Sequence, residues 1–142
     1  MPGKPYADYR AQVLRVEELG FDIAAVPDHF CDWANPPAAW LECWTLLSAL
    51  RAETSTIRLA SNVAQVPLRI PGVLAHQAVA VDHVSGGRLE LGLGTGLAID
   101  PGTEMIGLAN WSNAERAARF GEYIELVGLL LSQEVTSDEG RY

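Results

Sequence analysis

Three short segments carry the residues that could do chemistry: Asp28-His29, Asn62-Val63 and Gly92-x-Gly94-Thr95-Gly96. Each closes an apolar run that reads as a β-strand. The imidazole of His29 can give or take a proton near neutral pH, which suits oxidation of an alcohol or reduction of a carbonyl. Asp28 beside it could orient that ring or cap a turn. Gly94 and Gly96 would let a ligand approach the backbone with no Cβ in the way, and Thr95 adds a hydroxyl. The chemistry on offer is therefore proton transfer next to a stretch of bare main chain.

Several other chemistries are excluded by spacing or charge. With Gly92 and Gly94 as the first pair of a dinucleotide fingerprint, the third glycine position holds Leu97; with Gly94 and Gly96 it holds Ile99. The helix that should start at once on the pyrophosphate waits until about residue 112. No Gly-Lys-Ser/Thr triplet supplies a phosphate loop. His76 and His83 lie seven apart with no zincin glutamate, and neither they nor His29 with Cys31 and Cys43 form a metal-ligand pattern. A net charge of −8 with no Lys/Arg run argues against nucleic acid. Two cysteines are too few for a disulfide framework. No apolar run approaches the roughly 20 residues of a membrane span, and no signal peptide precedes the first helix, so the expected location is the cytoplasm.

The elements that must position these residues follow from periodicity. Tyr9, Val13 and Val16 recur at helical spacing over 6–19, and Gly20 stands where a C-terminal cap belongs. Phe21 to Val26 predicts a short buried strand. After Asn35-Pro36-Pro37 a second helix is expected over about 38–52, with Trp40, Trp44 and Leu47 on one core-facing side. Ile57 to Val63 predicts the second strand, 72–84 a helix stopped by Gly86-Gly87, and Leu89 to Leu93 the third strand. A loop of roughly 18 residues then precedes Ser112-x-x-Glu115, which has the form of a capping box. It opens a long helix whose expected apolar stripe is Phe120, Ile124, Val127 and Leu131. Arg88, Glu115, Arg116, Arg119 and Glu122 read as charges on a solvated face. The tail, Ser132 to Tyr142, should fray unless something covers it. Strands starting near 21, 57 and 89, separated by helices, imply an α/β fold with parallel strands and right-handed crossovers. A (β/α)8 barrel and an open doubly wound sheet both satisfy that pattern.

The order of features resembles the luciferase-like flavin and deazaflavin monooxygenase/oxidoreductase family. The matching stretches are Glu18-Leu-Gly-Phe-Asp22, Asp28-His29, Leu41-Glu-Cys-Trp-Thr45, Thr56-Ile-Arg-Leu59 and Arg69-x-Pro71. They continue through Val81-Asp82, Ser85-Gly-Gly-Arg88, Gly92-x-Gly-x-Gly96, Glu115-Arg116 with Arg119, and Glu139-Gly-Arg-Tyr142. The resemblance implies a (β/α)8 barrel, of which residues 1–142 would form strands two to four with helices one to four. The first strand and the second half of the barrel would be missing, and such a piece is expected to be inactive by itself.

The resemblance also implies a cofactor, either coenzyme F420 for hydride transfer or FMN for oxygenation of a small organic substrate. His29 is then the catalytic residue. Asp28, Trp33 (four residues after the histidine), Asn62, Val63, Gly94, Thr95 and Gly96 would touch the cofactor, and no metal is involved. Asn62-Val63 occupies a place where the family often has a non-proline cis peptide. Deazaflavin-dependent sugar-phosphate dehydrogenases follow Gly-Thr-Gly with a catalytic glutamate; Leu97 stands there in this chain, so sugar-phosphate oxidation is not expected, and Asp100 is the next acid. A small-molecule substrate is expected, with neither nucleic acid nor membrane as partner and a homodimer left open for a longer protein. The competing reading is a non-catalytic α/β remnant or interaction module whose strand edges pair with another chain.

Overall fold

Burial of one face of a parallel sheet under a layer of helices organises the chain. The computed structural model describes residues 3–35, 38 and 40–142, so the prolines of the Asn35-Pro36-Pro37 loop lie outside the described residues. The elements run α1 (Tyr6–Glu18), β1 (Ile23–Val26), α2 (Cys43–Glu53), β2 (Arg58–Gln65), α3 (Pro71–Ser85), β3 (Leu89–Gly94), α4 (Pro101–Met105) and α5 (Asn113–Ser132). The strands pair in parallel in the order β1-β2-β3, with Ile23 opposite Arg58 and Leu59 opposite Leu89. Helix α2 packs on β1 and β2 and α3 on β3, while α1 meets α2, α2 meets α3 and α3 meets α5. All four long helices therefore share one layer on one side of the sheet. A doubly wound sheet divides its helices between two faces, whereas a barrel wall keeps them all outside.

The core lies between these layers, built from Leu46, Leu47 and Leu50 of α2, Leu59 of β2, Leu74, Ala78 and Val81 of α3, and Tyr123 and Val127 of α5. Where α3 ends, Gly86 takes φ +66°, and the N–H groups of Gly86 and Gly87 return to the carbonyls of His83 and Asp82. That left-handed turn is open to glycine without strain, which is why the glycine stop was legible. Arg88 follows and is not a solvated charge: it donates to the carbonyls of Thr54, Ile57 and Ser85, joining the end of α2 to the starts of β2 and β3.

Several expectations are corrected. Helix α2 begins at Cys43, about one turn later than periodicity suggests, because the Glu42 carboxylate caps the N–H groups of Trp44 (3.1 Å) and Thr45 (2.7 Å). Trp40 consequently lies outside the helix and leaves its core-facing side. Strand β2 runs past Val63 to Gln65, since Ala64 and Gln65 pair with Leu93 and Gly94 beyond a bulge. The long loop contains α4, too short for a periodic signal, with Asp100 capping Gly102 N–H at 2.8 Å. On α5 the buried face runs through Arg116, Phe120, Tyr123 and Val127, leaving Ile124 and Leu131 exposed. Arg116 itself is buried, its Nε donating to Trp111 O and its Nη2 to Asn110 Oδ1. The tail is irregular but held: Glu122 accepts the N–H groups of Arg141 (2.8 Å) and Tyr142 (3.0 Å), and Arg119 stacks between Trp111 and Tyr142.

At the opposite end of the sheet, Glu17 at the end of α1 clasps the start of β2. Its carboxylate accepts the N–H groups of Ser55, Thr56 and Ile57 and the Thr56 hydroxyl. Burial alone would raise the Glu17 carboxyl, but these four donors outweigh it and lower it to about 2. A depressed carboxyl contributes stability that is complete above the unfolded value of about 4.3 and is lost as pH falls through the folded one. Glu17→Gln is accordingly expected to cost about 1–2 kcal/mol in urea unfolding at neutral pH. The gap between the two proteins should close as the solution is acidified from about pH 4.3 towards pH 2, and a gap independent of pH would refute the charge-based account.

Candidate active site at the strand ends

The three strands deliver their C-terminal ends to one mouth, where a cleft of about 290 Å³ opens. It is lined by His29, Trp33, Asn62, Val63, Gln65, Gly94, Thr95, Gly96 and Leu97. Seven of the eight residues singled out from sequence are thus brought together. The eighth, Asp28, is 2% exposed and its carboxylate does not line the cleft. It is turned instead to both terminal nitrogens of Arg69 and to Gln65 N–H at 3.1 Å. Its place is beneath His29, as the residue that fixes the backbone carrying the ring.

The floor of the cleft depends on the bulge in β2. Ser61 pairs with Leu91 and Ala64 with Leu93, so one residue of β2 has no counterpart on β3. The Ser61 hydroxyl repairs the ladder by accepting Gly92 N–H at 3.1 Å and donating to Gly92 O at 3.0 Å. Asn62 and Val63, joined by a cis peptide, are pushed out to the cleft side. Val63 then occupies the space in which a Cβ on Gly94 would sit, and a Cβ on Gly92 would come within 2.5 Å of Ser61 O. The alternating glycines are therefore required by strand-to-strand packing, and the bare backbone at the rim follows from it. Gly96 has φ +70° and abuts Pro67 and Arg116. Thr95 spends its hydroxyl on Gly96 O at 2.9 Å.

His29 is held at Nδ1 and against two indoles, with its remaining side on the cleft. Trp33 meets the ring edge-on at 4.9 Å between centroids and Trp40 does the same at 5.3 Å. Nδ1 lies 3.1 Å from Gln65 Nε2 and 3.6 Å from Asp100 Oδ2. The Gln65 amide also donates to Asp28 O at 2.6 Å and to Asp100 Oδ2 at 3.1 Å. Behind this, Arg69 bridges Asp28 to Glu42, and Tyr123 OH donates to Arg69 O at 3.0 Å. Burial, with Arg69 opposing it, pushes the Tyr123 phenol up to about 12, so it stays a neutral donor. Burial also raises both thiols, Cys31 and Cys43, which leaves them poor nucleophiles. Among the described residues no cluster of His, Cys, Asp and Glu could hold a metal ion.

Residues 1–142 match the family described as luciferase-like monooxygenase. The chain belongs to that family. It is 32% identical over 142 residues to an F420-dependent glucose-6-phosphate dehydrogenase of Kineococcus radiotolerans, covering 99% of this chain and 40% of that protein. An F420-dependent secondary alcohol dehydrogenase, solved with an F420–acetone adduct, superposes with a TM-score of 0.89 at 21% identity over 99% of this chain and 43% of that one. The oxygenating constituent of 3,6-diketocamphane monooxygenase from Pseudomonas putida, solved with FMN, gives 0.82 at 21% identity, covering 99% and 39%. The chain thus spans about two fifths of the length of these relatives. Within the luciferase-like fold its three strands form part of a (β/α)8 barrel wall.

Four residues of this luciferase-like site went unassigned in the sequence. Gln65 and Asp100 carry no motif, although Asp100-Pro101 is a recognisable helix start. Trp40 was hidden by the misplaced start of α2. Arg69 stood in a matching stretch, yet nothing in one dimension pairs it with Asp28, 41 positions away. Arg69→Met should cost about 3 kcal/mol or more in chemical denaturation, because it strands a buried carboxylate. Gly94→Ala should destabilise by about 1–3 kcal/mol and displace Val63, seen as shifted methyl resonances at the cleft. An unchanged midpoint in either variant would contradict the packing described here.

Proposed function

We propose that this chain contributes the ring-binding part of a flavin- or deazaflavin-dependent oxidoreductase site, with F420 or FMN in the cleft. The observation that carries the reading is the indole N–H of Trp33: it is buried at the cleft beside His29 and has no acceptor among the described residues. An unpaired buried donor is costly and calls for an acceptor from outside the chain. The rest of the lining fits a flat heteroaromatic group, with exposed backbone along Gly94–Gly96, neutral polar edges at Asn62 and Gln65, and room for about one ring system. F420-dependent chemistry in the 32%-identical relative supports the deazaflavin first.

The bound cofactor would accept or supply the reducing equivalents; this chain's own residues manage the proton. His29 faces the cleft from the end of β1 and is the group placed to exchange a proton with a substrate oxygen. The two tryptophans hold its plane through edge-on ring contacts. The acid nearest the imidazole, Asp100, is 6% exposed and already bonded to Gln65 and to its own helix N-terminus. It serves structure, not substrate. At the rim, half-exposed Leu97 presents an apolar wall, and among the described residues no Lys or Arg lines the cleft. Those features favour a small, uncharged carbonyl or alcohol over a sugar phosphate.

The test is to titrate the polypeptide bearing this chain with F420 and with FMN separately, following cofactor fluorescence and tryptophan quenching. Binding of one of them at micromolar levels is expected. His29→Asn should leave that affinity within a few-fold while lowering kcat for a reactive alcohol or carbonyl by about 10²–10⁴-fold. Failure of both cofactors to bind would remove the enzyme reading and leave the non-catalytic module.

A further inference from the structure

The Gln65 amide stands at the centre of three acceptors with only two hydrogens to give. Nε2 lies 2.6 Å from Asp28 O, 3.1 Å from Asp100 Oδ2 and 3.1 Å from His29 Nδ1. Turning the amide over would set its oxygen against a carbonyl and a carboxylate at those distances. Two repulsive contacts between oxygens would replace two hydrogen bonds, so the amide has one workable orientation. The carbonyl of Asp28 cannot yield, because Asp28 is locked by Arg69 on its other side. The nitrogen of Gln65, not its oxygen, therefore faces Nδ1 of His29. One hydrogen is held by Asp28 O and the other lies between Asp100 Oδ2 and Nδ1, so this contact offers Nδ1 no acceptor.

A neutral imidazole carries one proton, and the hydrogen bond made by one ring nitrogen decides where it sits. With a donor against Nδ1, a proton on Nδ1 would oppose an N–H at 3.1 Å. Among the described residues Asp100 is the acid nearest Nδ1, and at 3.6 Å it is beyond hydrogen-bond length. Trp33 and Trp40 meet the imidazole through their rings. Nε2 has no partner among the described residues.

We propose that Gln65 is a positioning residue that fixes the neutral His29 ring in its Nε2–H tautomer, so that the cleft is presented with a hydrogen-bond donor, not a base. The consequence for chemistry rests on the function proposed above. A donor at Nε2 stabilises negative charge on a substrate oxygen, as on a carbonyl that accepts a hydride. The proton that completes the alcohol comes from the imidazolium form or from solvent, since a neutral ring giving up Nε2–H would become an imidazolate. Removing a proton from an alcohol would require the opposite tautomer.

The tautomer itself can be read without cofactor or substrate. Long-range ¹H–¹⁵N correlation spectra of ¹⁵N-histidine-labelled protein show which ring nitrogen carries the proton. The chain has three histidines, and His76→Gln and His83→Gln assign the other two. At the alkaline end of a pH series, His29 should show the Nε2–H pattern. Gln65→Glu, which puts an acceptor where the donor was, should convert most of that signal to the Nδ1–H pattern. Gln65→Leu should raise the Nδ1–H share measurably above that of the unsubstituted protein, towards the ratio of a free imidazole. The signals of His76 and His83, both exposed on α3, report whether each variant keeps its fold. An Nδ1–H pattern in the unsubstituted protein overturns the proposal outright, even if neither variant folds. So does an Nε2–H pattern that survives both substitutions in folded protein. Failure of F420 and FMN to bind would instead sink the functional reading and leave the tautomer result standing.

Discussion

At the mouth of the sheet one buried carboxylate ties four elements together. Asp28 follows β1, and it accepts from the backbone of Gln65 at the end of β2 and from both terminal nitrogens of Arg69. Arg69 passes the charge on to Glu42, the cap of α2, while its own carbonyl is held by Tyr123 of α5. Burial works against the Arg69 cation, yet the two carboxylates outweigh it and raise its pKa. Neither ion would be tolerated alone at this depth, since removing one from water costs several kcal/mol uncompensated. The pair also sets where the next residue, His29, leaves the sheet. The arrangement of the cleft is thus inherited from an interaction that does not line it.

The same lock explains why the cleft is so sparing with charge. The carboxylates beneath it are already paired, and what lines it is an imidazole, an indole, two amides and backbone, with Arg116 Nη1 buried and unpartnered among the described residues behind Gly96. Such a lining is poor at gripping a phosphate and good at matching the polar edge of a planar ring. Gly94 belongs to this design through packing: Val63 fills its missing side chain, and the wall that results is smooth because the bulge of β2 has already been accommodated. Shape at the floor and polarity at the rim therefore come from different residues and can be perturbed separately.

Much of this was legible in one dimension because it rests on local signals. Parallel strands, the helix stop at Gly86, the cap at Ser112 and the clustering of His29, Asn62, Val63 and Gly94–Gly96 follow from short-range patterns joined to the rule that parallel strands share an end, whereas Trp33 was placed by the family resemblance. The failures share a different cause. Trp40 was misassigned because a helix start is decided by Glu42, whose capping geometry is reinforced by a cation 27 residues on. Arg116 reads as a surface charge within a helix, yet the loop before it supplies Asn110 and the Trp111 carbonyl as partners and permits its burial. The role of Gln65 is invisible for the same reason: its three acceptors come from Asp28, His29 and Asp100, which only the closed fold assembles.

On the proposed reading, the division between hydride transfer and oxygenation is not decided by the ring-binding contacts. A wall of glycine backbone and neutral donors recognises the outline and polar edge that a flavin and a deazaflavin share, so either can be accommodated by one set of residues. What separates the two chemistries is the treatment of the substrate oxygen and the access of other reactants. On this chain that falls to His29 and to the apolar rim at Leu97. A ring faced by the Gln65 amide nitrogen and flanked by two indoles is suited to stabilising charge that develops on a substrate oxygen. The polar network therefore does more than support the fold. By fixing one proton on one nitrogen, it sets which hydrogen-bonding role the site presents to a substrate oxygen.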